Sequence, residues 1–111
     1  MTQPERRTRR SSEAHRALSL FLEAVRTRES VEALAVTTED GLLVAGAGKH
    51  DLEWMGSVGA SSKRATLTWN ERTLHVQRFT VNQVQMYLTS TDKKVDPGPV
   101  QAGLERILGG S

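Results

Sequence analysis

The sequence predicts a single α+β domain with the element order helix, two strands, helix, three strands, helix. Its length of 111 residues is that of one domain. Two apolar segments with a turn signal between them predict a hairpin over residues 31–48. Three further segments alternate between apolar and polar residues over 65–89, as expected for antiparallel strands with one buried face.

The hairpin, VEALAVTTEDGLLVAGAG, has the clearest pattern in the chain. Asp40-Gly41 between two apolar runs predicts a two-residue type I′ turn, which needs positive φ at both central residues. Because both runs are apolar throughout, we expect the hairpin to lie centrally in its sheet with both faces covered.

Residues 1–12 predict a disordered basic tail ahead of a domain at 13–109. They carry four arginines against one glutamate, whereas the rest of the chain has 11 basic and 12 acidic side chains. The tail has no apolar residue after Met1 with which to offset the entropy of ordering. A solvated tail is the favoured interpretation. Contact with phosphate or an anionic membrane surface is the alternative, and nucleic acid is an unlikely partner because no aromatic residue is available for base stacking.

Capping signals predict the three helices. Ser12 is a candidate N-cap for the first, Asp51 for a short middle helix that begins near Leu52, and Pro99 suits the first position of the last, which ends at Gly109. The first helix has an apolar stripe at helical spacing, formed by Ala14, Ala17, Leu18, Phe21, Leu22 and Val25.

The middle helix contains two glycines, each of which costs about 1 kcal/mol relative to alanine. Gly56 and Ala60 lie four residues apart on one face, with Gly59 beside them. Small residues at this spacing either fit the helix closely onto its own sheet or allow a close contact with a second subunit. The residues themselves leave both interpretations open.

The later strands are predicted at 65–70, 73–81 and 84–89, with turns at Glu71-Arg72 and Asn82-Gln83. In the last strand Val84, Met86 and Leu88 share one face. The opposite face is mostly polar, so the pattern predicts a three-stranded meander with one buried face.

No segment predicts catalytic, metal or cofactor chemistry. GLLVAGAGKH fails as a phosphate-binding loop, since Leu43 stands where glycine is needed and His50 where Ser or Thr is needed. The three histidines lie in different predicted elements, without metal-ligand spacing. No apolar run is long enough to span a membrane. The absence of cysteine suits a reducing compartment, so we expect a cytoplasmic protein.

With this order of elements, the sequence resembles the Roadblock family of dynein light chains and bacterial GTPase regulators. The resemblance is carried by the hairpin VEALAVTTEDGLLVAGAG, the α-β-β-α-β-β-β-α order and the late pair TLHVQRFT and VQMYLTST, and it covers about residues 13–108. It implies a profilin-like α/β sandwich, in which three helices flank a five-stranded antiparallel sheet. The middle helix here is shorter than is usual in the family.

The resemblance also implies a function. Roadblock proteins are non-catalytic regulators or scaffolds of small Ras-like GTPases and motor complexes, and they typically dimerise through the middle helix and third strand. For this chain it implies a dimer, with itself or with another Roadblock-like protein, and a small Ras-like GTPase as partner. The implied dimer contacts are Leu52, Met55, Gly56, Gly59, Ala60, Thr66 and Thr68.

Two alternatives remain open beside a GTPase regulator. A nucleotide-independent scaffold would pair with another Roadblock-like protein whatever nucleotide is present. A small-ligand sensor would use a pocket on the profilin-like sheet, for which the small apolar set leaves little room. Nucleotide dependence of binding separates the first two, and a ligand-induced rise in melting temperature would indicate the third.

Overall fold

A computed structural model describes residues 3–109, with side chains from residue 13 onward. One five-stranded antiparallel sheet has the strand order β2-β1-β5-β4-β3, with α2 on one face and α1 and α3 on the other. The elements are α1 (Gln3–Glu29), β1 (Ala33–Thr38), β2 (Leu43–Gly48), α2 (Leu52–Ser62), β3 (Thr66–Trp69), β4 (Arg72–Val81), β5 (Val84–Thr91) and α3 (Pro97–Leu108). The predicted fold class and element order are confirmed.

Helix α1 begins earlier than the sequence predicted. It starts at Gln3, so Ser12 lies inside the helix and is not its N-cap. Gln, Glu and Arg all favour helix, and Pro4 lies in the first turn, where a missing N–H costs little. Met1 and Thr2 lie outside the described residues. The division into a tail at 1–12 and a domain at 13–109 stays a prediction.

The hairpin forms, but its turn is longer than predicted. The Gly41 N–H donates to the Thr38 carbonyl at 3.0 Å, and the Thr38 N–H donates to the Leu42 carbonyl at 2.9 Å. Gly41 has a φ of +86°, whereas Asp40 does not have a positive φ. The two-residue type I′ prediction is therefore wrong, because a single left-handed glycine closes a three-residue loop.

The two hairpin strands differ in their place in the sheet. Strand β1 lies between β2 and β5 and is buried on both faces, as predicted. Strand β2 forms an edge of the sheet and is only partly buried. The expected central position is therefore right for β1 and wrong for β2.

The antiparallel meander β3-β4-β5 is confirmed, with small shifts in its boundaries, but it is buried on both faces rather than one, since Leu74 lies in the core under α2 and Phe79 in the core under α1 and α3. The turn between β4 and β5 is Asn82-Gln83, as predicted. The turn between β3 and β4 is Asn70-Glu71, one residue earlier than predicted, and both residues have positive φ. Helix α3 begins at Pro97 rather than Pro99, because Asp96 is its N-cap and accepts a hydrogen bond from the Gly98 N–H at 2.9 Å. It ends at Leu108, with Gly109 as its C-cap where the sequence predicted the stop.

The core has two unequal parts, one on each face of the sheet. The larger lies under α1 and α3 and includes Leu22, Leu34, Val36, Leu88, Val100 and Leu104. The smaller lies under α2 and consists of Ala33, Ala35, Met55 and Leu74. Burial of these side chains in two layers is the main force that holds the helices against the sheet. Within residues 3–109, no helix is long and apolar enough to cross a membrane.

Candidate protein-interaction surface

Helix α2 is the element on which the predicted subunit contact depends. Asp51 is its N-cap, as predicted, and accepts a hydrogen bond from the Trp54 N–H at 3.1 Å. The helix ends at Ser62, and its C-cap Lys63 adopts the left-handed conformation with a φ of 56°. These two ends limit α2 to 11 residues, so it covers only part of the sheet below it.

The small residues of α2 face the chain's own sheet. A Cβ on Gly56 would overlap the Thr37 methyl group, and a Cβ on Gly59 would overlap the Thr89 hydroxyl. Both glycines are buried within the protomer. Of the two interpretations left open by the sequence, close fitting of the helix onto its own sheet is therefore the one the structure bears out.

This packing bears on the implied dimer contacts, which stay a prediction. Met55, Gly56, Gly59 and Ala60 are buried inside the protomer. Leu52 is half-buried, while Thr66 and Thr68 are exposed on β3. Dimerisation itself stays a prediction, and these three are the implied contact residues that remain accessible.

Two threonine hydroxyls are buried under α2. The Oγ1 atoms of Thr37 and Thr89 have no hydrogen-bond partner among the described residues. The neighbouring Thr91 hydroxyl instead donates to the Ala33 carbonyl and accepts from the Ala33 N–H. An unpaired buried hydroxyl costs about 1–3 kcal/mol, so close packing of α2 is achieved at the expense of two polar groups.

The outer surface near the start of α2 carries two exposed apolar side chains that the sequence did not single out. Leu42 is 68% exposed and Trp54 is 58% exposed. They border a groove of about 490 Å³ lined by Gly41, Leu42, Leu43, Asp51, Glu53, Trp54 and Ser57. Large exposed apolar groups beside polar ones are typical of protein contact sites. The helical period could have identified Trp54 from the sequence, because it places Trp54 on a different face of α2 from buried Met55 and Gly59.

Strand β3 offers an open edge beside this helix. Within residues 3–109 it pairs only with β4, and the Val76 N–H donates to the Ala65 carbonyl at 2.8 Å just before β3 begins. In an antiparallel ladder the direction of hydrogen bonding alternates between successive residues. The backbone groups of Thr66 and Thr68 therefore point away from β4, towards the open edge.

A network of polar contacts joins four segments near the start of β1. Glu32 pairs with His50 at 3.3 Å and with Arg72, and Arg72 also pairs with Asp92 at 2.8 Å. The His50 ring meets the Trp69 ring edge to face, with centroids 6.2 Å apart. The network ties the loop before α2 to β4. In the part of the chain that the structure describes, no group of side chains has the make-up of a metal site.

A groove of about 450 Å³ adjoins this network and is lined by Glu23, Arg26, Glu32, Gly48, Lys49 and His50. The Arg26 guanidinium donates to the Glu23 carboxylate at 2.7 Å, which lowers the pKa of that carboxyl. Glu32 is likewise paired with Arg72. Both carboxylates are already neutralised by neighbouring cations, so this groove is a weak candidate for ligand binding.

A five-stranded antiparallel sheet, covered by one helix on one face and two on the other in this chain order, is a roadblock-like fold. The same fold occurs in the solved structure of Myxococcus xanthus MglB, with a TM-score of 0.59 and 11% sequence identity. The match covers 86% of this chain and 90% of that chain. No family model matches the sequence, and no curated protein matches it. At this identity the similarity concerns the fold.

Proposed function

We propose that the chain is a non-catalytic, dimeric regulator or adaptor of a small Ras-like GTPase. The observation that carries the proposal is the fold, which is the one implied by the Roadblock resemblance and is shared with MglB. The hairpin and the late strand pair support it, because the sequence features that suggested the family form β1-β2 and β4-β5 of this sheet.

The dimer is proposed to form through the open edge of β3. Two copies of β3 would pair with each other, which satisfies the outward backbone groups of Thr66 and Thr68 and removes an exposed edge. Leu52, half-buried on the adjacent helix, would add apolar contact. Thr68→Pro removes the outward N–H without breaking a bond to β4, so we expect it to yield monomers. Light scattering measures the mass directly.

The GTPase is proposed to contact the groove bordered by Leu42 and Trp54. Aromatic and large apolar side chains are frequent anchors of protein contacts. The test is a pull-down from native lysate with GDP and with a non-hydrolysable GTP analogue, followed by identification of the retained protein. We expect retention of a small GTPase in one nucleotide state only.

The matched control uses another exposed leucine. Leu20 is 63% exposed on α1, which packs on the opposite face of the sheet. We expect Leu42→Ser and Trp54→Ser to reduce retention of the GTPase, and Leu20→Ser to leave it unchanged. Equal loss in all three variants would refute the assignment of the groove.

The two alternatives predict different results in the same experiment. Retention of another Roadblock-like protein, whatever the nucleotide, would indicate a scaffold. A monomer that retains neither partner would contradict the regulator proposal and favour a small-ligand sensor. A rise in melting temperature across a ligand panel would then be the measurement to make.

A further inference from the structure

Strand β4 is much longer than the strand beside it. It has 10 residues, of which only Arg72 to His75 pair with the four residues of β3. The bond from the Val76 N–H to the Ala65 carbonyl is the last one on that side. From Gln77 to Val81, no strand within residues 3–109 lies along the outer edge of β4.

The register shows which backbone groups this open edge presents. The Val76 N–H points towards β3, since it donates to Ala65. Groups two and four residues further along point the same way in a regular strand. The N–H and C=O groups of Arg78 and Thr80 therefore point outward, while Gln77 and Phe79 bond to β5. This edge continues the line of β3 and is free to accept another strand.

A basic cleft lies against the same edge. Its volume is about 640 Å³, and it is lined by Glu39, Ala60, Lys63, Arg64, Ala65, Val76, Arg78 and Tyr87. Three cations line the cleft, against the single carboxylate of Glu39. It exists because α2 ends at Ser62 and leaves the row of Arg78 and Tyr87 uncovered.

The three cations of the cleft are available to a ligand. Lys63, Arg64 and Arg78 are exposed, and their side chains form no ion pair or hydrogen bond with any residue whose side chain is described. Like charges on an edge strand oppose its pairing with another copy of itself. The same charges attract a strand that carries carboxylates, so charge complementarity favours an acidic occupant over a second copy.

We propose that the open edge of β4 from Arg78 to Val81, together with the cleft of Lys63, Arg64 and Arg78, binds an extended acidic segment of a partner protein. The segment adds to the sheet as a strand in line with β3. Its backbone bonds to Arg78 and Thr80, and its carboxylates on the α2 face meet the three cations. The site shares no residue with the proposed dimer edge at Thr66 and Thr68, and it does not depend on the GTPase proposal.

The probe is a fluorescein-labelled peptide of alternating Glu and Val, whose carboxylates lie on one face of an extended strand. A peptide of alternating Lys and Val is its charge-reversed counterpart. Fluorescence anisotropy with the full chain measures binding at low and at physiological salt. We expect the Glu peptide to bind, more weakly as salt rises, and the Lys peptide not to bind.

Variants separate the charge contribution from the backbone contribution. Arg64→Glu with Arg78→Glu should weaken binding by about tenfold or more, since two attractive contacts become repulsive. Lys94→Glu, a single charge reversal at an exposed lysine outside the cleft, is the control and should reduce binding only slightly. Thr80→Pro removes one outward donor and should also weaken binding, whereas Thr68→Pro should leave it intact.

Amide hydrogen exchange tests strand addition independently of any variant's stability. Bound peptide should slow exchange at the Arg78 and Thr80 amides of the native chain, and leave the outward Thr68 amide unchanged. Binding without that protection would overturn strand addition. Equal binding of the Lys peptide, undiminished binding by the double charge variant, or no binding of the Glu peptide at low salt would each overturn the proposal.

Discussion

Whether Gly59→Ala raises or lowers the free energy of unfolding depends on whether Gly59 packs against Thr89 or faces solvent. A solvent-facing Gly→Ala change in a helix raises the free energy of unfolding by about 1 kcal/mol. At Gly59, however, the added Cβ would overlap the Thr89 hydroxyl and lie only 3.1 Å from its Cγ2 and 3.2 Å from its Cβ. Rotation of Thr89 about χ1 moves its hydroxyl and methyl but leaves its Cβ in place, so no rotamer fully relieves the contact.

Overpacking of this kind costs about 1–3 kcal/mol. After subtraction of the helix-propensity gain, Gly59→Ala should lower the free energy of unfolding by about 1 kcal/mol. For a domain of this size that is a fall of about 4–8 °C in melting temperature. The control is Ser61→Ala on the exposed face of the same helix, which should be neutral or slightly stabilising.

The assay is urea denaturation followed by circular dichroism, at two protein concentrations so that any dimer contribution is visible. Thr89→Ala in the same chain removes the two nearest obstructing atoms, Oγ1 and Cγ2, and leaves only the Cβ, so the two changes should be coupled by about 1–2 kcal/mol in a double-mutant cycle. A stabilising effect of Gly59→Ala alone would refute the reasoning. It would mean that this face of α2 is free and would restore Gly59 as a possible subunit contact.

Two further predictions concern the same helix. Thr37→Val replaces a buried, unpartnered hydroxyl with a methyl group of similar size, so it should leave stability unchanged or raise it by about 1 kcal/mol; a clear loss of stability in thermal unfolding would mean that the hydroxyl has a partner. Asp51→Ala removes the N-cap bond to the Trp54 N–H and should cost about 1 kcal/mol, while Asp51→Ser should retain most of it. Chemical denaturation of the three proteins side by side gives both differences, and equal stability of Asp51→Ala and the parent would show that the cap contributes nothing.

The corrected elements show how local signals can mislead. Asp40-Gly41 is a strong turn signal, yet turn length depends on how the flanking strands pair, and here Val36 and Thr37 are separated by a bulge in the register. Ser12 has the residue type of an N-cap, yet α1 begins at Gln3 and includes Ser12. For the turn, the motif was identified correctly, and the missing information was the pairing of its flanking strands.

The glycines of α2 illustrate the main limit on predicting the site. Their spacing showed that something must approach the helix closely, but either the chain's own sheet or a second subunit would satisfy that pattern. The sheet is the neighbour because Thr37 on β1 and Thr89 on β5 lie directly against the two glycines, and both threonines are far from α2 in sequence. Similarly, nothing local indicates that Leu42 and Trp54 border one groove.

The order of elements, the strand periodicity, the caps at Asp51 and Gly109 and the fold class follow from the sequence, because each depends on residues close together in the chain. The orientation of α2, the edge position of β2 and β3 and the basic cleft beside β4 depend on tertiary structure. These features are set by contacts between residues far apart in sequence, and a pattern within one segment specifies which face is buried but not what buries it.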